Sequence, residues 1–174
     1  KVTGAFDTPT LPVGAWMFKH ATEQRVEHEN QKTIGIVKGR SNADNLLDLF
    51  VLTGRFQEPG AYAIYVYRQQ ADGAMAAPLA TTLPALNLTD VMAIDLNHDV
   101  YTDIVFSATD NGGVYVMLGG PAGLAAPVRY TGIDTATNAL SLDQADMNGD
   151  GHMDVLVQLK TPCCSVETNA WAVY

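Results

Sequence analysis

Two segments of the chain share one pattern of oxygen-bearing side chains. Asp95-Leu96-Asn97-His98-Asp99-Val100-Tyr101-Thr102-Asp103 and Asp146-Met147-Asn148-Gly149-Asp150-Gly151-His152-Met153-Asp154 both read D-x-N-x-D-x-x-x-D, and each runs into an aliphatic segment. Side chains at positions 1, 3, 5 and 9 converge when such a loop curls. The gathered carboxylates repel one another unless a cation sits among them. A hard divalent ion that takes many oxygen ligands, calcium above all, suits this donor set. The expected side-chain ligands are Asp95, Asn97, Asp99 and Asp103 in one loop and Asp146, Asn148, Asp150 and Asp154 in the other. Tyr101 and His152 are expected to add backbone carbonyls, and Gly149 and Gly151 to permit the tight turn.

The loops recur at a near-equal step, which points to a repeat architecture. The closing residues Asp103 and Asp154 are 51 residues apart, and Asp48 lies 55 residues before Asp103. Asp48 closes a third, degenerate copy, Arg40-Ser41-Asn42-Ala43-Asp44-Asn45-Leu46-Leu47-Asp48, in which Arg40 replaces the first Asp. Its guanidinium is expected to stand in for the cation and bridge Asp44 and Asp48, leaving that loop metal-free. Each loop lies between two β-prone runs. Ile34–Lys38, Val91–Asp95 and Ala139–Gln144 lead in; runs from Asp48, Asp103 and Asp154 lead out. A further run follows at Ala61–Tyr67, Gly113–Leu118 and Asn169–Tyr174, and a shorter one near Ala77–Thr82 and Ala126–Tyr130. Four short strands in about fifty residues is the size of a propeller blade. No segment has helical periodicity.

The EF-hand is the main rival for such a loop. It needs an acidic residue at position 12 and an exiting helix. Position 12 holds Phe106 and Val157, both inside apolar runs. Dockerin-like loops fail for the same reason.

The loop, its place between strands and the repeat length resemble FG-GAP repeats, called VCBS repeats in bacteria, which form the blades of integrin-like β-propellers. The resemblance covers residues 34–174. The second unit has Val100 where the family usually has Gly, and Gly119-Gly120-Pro121-Ala122-Gly123 is loosely similar to the family's Gly-rich signatures. That points to the bacterial type. The expected fold is all-β, with blades of four antiparallel strands, about three to three and a half of them, as an open arc or part of a larger propeller. The expected division is a single repeat domain over 1–174. Within it, 1–33 is a partial preceding blade or an N-terminal extension, and 34–88 is a blade with the degenerate loop. A blade with a calcium loop spans 89–137, and a partial blade with a calcium loop spans 138–174. So few blades do not close a ring, which leaves three arrangements: a piece of a longer protein, self-association into one ring, or closure by another subunit.

The net charge of −9 excludes a basic nucleic-acid surface. The longest apolar runs are too short to span a membrane as a helix, so no transmembrane segment is expected. The chain starts at Lys1 and reads as a mature or excised product. Cys163 and Cys164, the only cysteines, are either two thiols or a bonded pair of neighbours. His20, His28 and His98 share no spacing and read as surface residues rather than transition-metal ligands. Trp16, Trp171, Tyr62, Tyr65 and Tyr67 either pack between sheets or form a sugar platform. No nucleophile–base or P-loop pattern is present, and no general base is identifiable beside the acidic loops. The chain is therefore expected not to be an enzyme. It reads as a calcium-stabilised recognition, adhesion or assembly module of the cell surface, periplasm or exterior, facing a protein or glycan partner. Alternatives are a lectin-like propeller and an accessory domain of a larger secreted enzyme.

Overall fold

A computed structural model describes residues 31–55, 62–84, 86–109, 113–133 and 137–160. The described residues are all β, with no helix. Strands β1 (Gln31–Gly39), β2 (Asp48–Arg55), β3 (Ala63–Tyr67) and β4 (Leu79–Thr82) form one antiparallel sheet in chain order. Strands β5 (Leu88–Ile94), β6 (Asp103–Ala108), β7 (Gly113–Met117) and β8 (Val128–Arg129) form a second sheet of the same order. Strands β9 (Asn138–Ala145) and β10 (Asp154–Lys160) pair antiparallel in a third sheet. These are propeller-like blades that do not close on themselves. The expected strands fall where the apolar runs placed them, longer by a residue or more at the lead-in strands. The expected strand Asn169–Tyr174, the amino-terminal segment 1–30, Trp16, Trp171 and the Cys163–Cys164 pair lie outside the described residues.

The blades stack face to face, and the sequence of β6 records it. All six of its residues are buried. Ile104 and Phe106 pack into a core with Phe50, Leu52 and Ile64 of the first sheet, and Val105 packs with Val155 and Val157 of the third. A strand buried on both faces reads as a continuous apolar run rather than an alternating one. Each large side chain so buried contributes about 1.5–3 kcal/mol. Phe106 stacks on Tyr115 with centroids 5.2 Å apart. Tyr62 and Tyr67 are buried as well, so neither offers a sugar platform.

The first strands of successive blades lie side by side and are tied across. Thr89 Oγ1 of β5 donates to the Ala139 carbonyl of β9 at 2.9 Å, and the Leu142 N–H donates to Asp90 at 2.9 Å. Because β1, β5 and β9 each begin a blade, the loops after them emerge at one common rim. That rim is where all three acidic loops sit.

Candidate metal centres on the loop rim

The three loops share one hydrogen-bond frame, residue for residue. The position-9 carboxylate accepts the N–H of position 2: Ser41 onto Asp48 at 2.9 Å, Leu96 onto Asp103 at 2.8 Å and Met147 onto Asp154 at 2.8 Å. The position-3 Asn accepts the N–H of position 5, as in Asp44 onto Asn42, Asp99 onto Asn97 and Asp150 onto Asn148. The position-5 Asp accepts the N–H of position 7: Leu46 onto Asp44, Tyr101 onto Asp99 and His152 onto Asp150. These are Asx turns in series, the local bonds that Asn and Asp offer a curling backbone. Position 6 is left-handed in every copy: Asn45 at φ 63°, Val100 at 72° and Gly151 at 86°. Position 4 is left-handed at His98 (57°) and Gly149 (77°).

Position 1 separates the full loops from the degenerate one. Asp95 accepts the N–H groups of Asp99 and Val100, both at 3.1 Å. Asp146 accepts those of Gly149, Asp150 and Gly151 at 2.7, 3.2 and 2.9 Å. Arg40 offers no acceptor, and the degenerate loop keeps the rest of the frame without one. The expected Arg40 bridge is replaced by a different network. Arg40 is exposed; its N–H donates to Thr102 Oγ1 at 2.7 Å, and its carbonyl accepts the Thr102 N–H at 2.9 Å. The fully buried Asp48 is held instead by the N–H and hydroxyl of Ser41 and by the Gln69 N–H at 2.8 Å. Arg68 joins through Ser41 Oγ at 3.1 Å. Sequence reasoning missed Arg68 because it follows β3, 20 residues beyond Asp48.

Burial divides the candidate ligands. Asp103 is fully buried and Asp154 nearly so, while Asn97, Asp146, Asn148 and Asp150 are exposed. Asp103 also accepts the Gly119 N–H at 2.6 Å, so it ties the loop to the chain just past β7. Burial pushes the Asp103 carboxyl up; the Gly119 and Leu96 N–H groups oppose this, and nearby Asp99 and Asp95 add to it. Asp150 moves the other way, lowered by the His152 N–H and the Asn148 amide.

The donor chemistry fits a hard cation, because Asp95, Asn97, Asp99 and Asp103 bring oxygens to one turn, as do Asp146, Asn148, Asp150 and Asp154. An oxygen that accepts one N–H keeps a lone pair for an ion. In the geometry described, however, these oxygens close on backbone N–H groups. Among the described residues no three His, Cys, Asp or Glu side chains already converge as a metal cage. No helix among them is long and apolar enough to cross a membrane.

Val100 bears the largest local cost in the second loop. A β-branched residue at positive φ is strained by roughly 1–2 kcal/mol, and Val100 is 62% exposed, so its side chain recovers little. Val100→Gly is expected to stabilise the protein by about 1 kcal/mol, since relief of strain outweighs the added freedom of the unfolded chain. A rise of about 2–4 °C in melting temperature checks it.

A family profile for the FG-GAP-like repeat matches residues 95–157, from the first Asp of the second loop into β10. Comparison with curated proteins and with solved structures finds no match. The matched segment contains both full acidic loops and the blade between them, and it coincides with the propeller-like stacking of the sheets. Residues 95–157 of the chain are thus similar to the FG-GAP-like repeat.

Proposed function

We propose that this chain is a non-catalytic, calcium-stabilised recognition module of the cell surface, periplasm or extracellular space. Repeats of this family suggest a propeller-type extracellular module. The observation that carries the calcium reading is the position-1 carboxylate, Asp95 or Asp146, that the two full loops add to the frame all three loops share. Asp95, Asn97, Asp99 and Asp103, and Asp146, Asn148, Asp150 and Asp154, are held by backbone bonds in the order a curled oxygen cage requires, with Tyr101 and His152 at the carbonyl position. Calcium there would offset the repulsion among Asp95, Asp99 and the buried Asp103. Its role is structural: it pins the turn between the first and second strands of a blade. Arg40, at position 1 of the first loop, leaves that loop without a cation.

Support for recognition comes from the rim. Leu47, Val100, Met147 and Met153 are all more than half exposed there, set among carboxylates. Single exposed apolar residues are ordinary, but a row of them along one laced set of loops suits a protein or glycan partner. Self-association that closes the open arc of blades is a further use of the same fold.

The test is a melting curve with calcium and with chelator. At calcium tenfold above Kd, each site adds about 1.4 kcal/mol, which raises the melting temperature by about 3–6 °C. Asp146→Asn is expected to remove the contribution of the third loop alone. Equal melting temperatures with calcium and with chelator would overturn the calcium reading.

A further inference from the structure

Two imidazoles from consecutive repeats meet on the rim. His98 is position 4 of the second loop and His152 position 7 of the third, 54 residues apart in the chain. Their ring centroids are 4.2 Å apart and their planes tilt by 40°. Both residues are exposed. His98 is also held at φ 57°, where the third loop has Gly149. A non-glycine residue is strained in that region. The second loop therefore carries strain at the residue whose ring meets the third loop.

We propose that His98 and His152 form a transition-metal site that takes Zn2+ or Cu2+ and clamps the second and third repeats together. The proposal stands whether or not calcium fills the loops, because imidazole nitrogen suits zinc and copper while calcium takes oxygen. A tetrahedral zinc with Zn–N bonds of 2.0–2.1 Å holds two ring nitrogens about 3.3 Å apart. A pair so bound has its ring centroids roughly 5 Å apart, so the tilted rings, now at 4.2 Å, swing slightly apart to turn one nitrogen each toward a common ion, and both residues are exposed. The Asp150 carboxylate lies close enough to feel both imidazoles, so negative charge borders the pair. Water completes the coordination. With two protein ligands rather than the four of a structural zinc centre, the ion binds reversibly.

The experiment is calorimetric titration of the full chain with Zn2+ in excess calcium, with the imidazole resonances followed by NMR. One Zn2+ per chain is expected, with the His98 and His152 resonances shifting together. His98→Asn tolerates the left-handed backbone and His152→Ala leaves the loop frame intact. Each is expected to weaken binding at least tenfold and to abolish the rise in melting temperature that Zn2+ gives the wild type. Wild-type zinc affinity in both variants, or His98 and His152 resonances that do not move, would overturn the proposal.

Discussion

Asp103→Ala is expected to destabilise the protein by about 4 kcal/mol in the absence of any metal. The carboxylate is fully buried and accepts N–H groups from Leu96 at the start of the loop and Gly119 past β7. Removing it strands two donors, each costing about 1–3 kcal/mol when buried without a partner, and opens a void between β5, β6 and β7. A urea midpoint lower by roughly 1–3 M, with unchanged slope, is the expected readout. Asp150→Ala is the informative contrast. Asp150 is exposed and its bonds stay within its own turn, so its loss costs less than about 1 kcal/mol in chelator. In calcium the same substitution removes a ligand, and the gap between wild type and variant widens. If Asp103→Ala were as mild as Asp150→Ala in chelator, position 9 would not be the anchor of the repeat frame.

The pair of variants also separates what the sequence could reveal from what it could not. The loops and their flanking strands were legible because the constraint is local. Asx turns need Asn or Asp at fixed offsets, and the strand after each loop must be apolar to lie between two sheets, as β6 does. The repeat step then placed β1, β5 and β9 at equivalent positions. The identity of the group that satisfies Asp48 was not legible. Arg40 occupies the vanished position 1, but its backbone is committed to Thr102 of the next blade, and Ser41, Gln69 and Arg68 settle the buried carboxylate instead. The His98–His152 contact was hidden for the same reason. Residues at different loop positions in different repeats share no spacing, and only the stacking of blades brings them together. Burial of Tyr62 and Tyr67 likewise depends on how the sheets and loops pack, which residue type does not decide.

Gly39→Ala is expected to cost about 3 kcal/mol by forcing the first two blades apart. A Cβ at Gly39 would sit 2.6 Å from Thr102 Cβ and also overlap the Thr102 hydroxyl. Cβ is fixed to the backbone, so no rotamer change in Thr102 relieves the overlap. Thr102 has little room to retreat, because its carbonyl lies against Gly119 on the other side. Its backbone and hydroxyl also hold Arg40 through two hydrogen bonds, which any shift would lengthen. Overpacking of this kind costs about 1–3 kcal/mol, and weakening the two bonds adds about 0.5–1.5 kcal/mol each. The expected fall in melting temperature is about 6–12 °C. Thr102→Gly removes the opposing Cβ, so Gly39→Ala made on that background should cost at least 1 kcal/mol less than on the wild type. Such coupling would establish that the loop rim is fastened blade to blade by backbone proximity at Gly39. Strict additivity of the two substitutions would mean that the cost arises inside the first sheet, and the contact between the loops would then be a consequence of stacking rather than one of its causes.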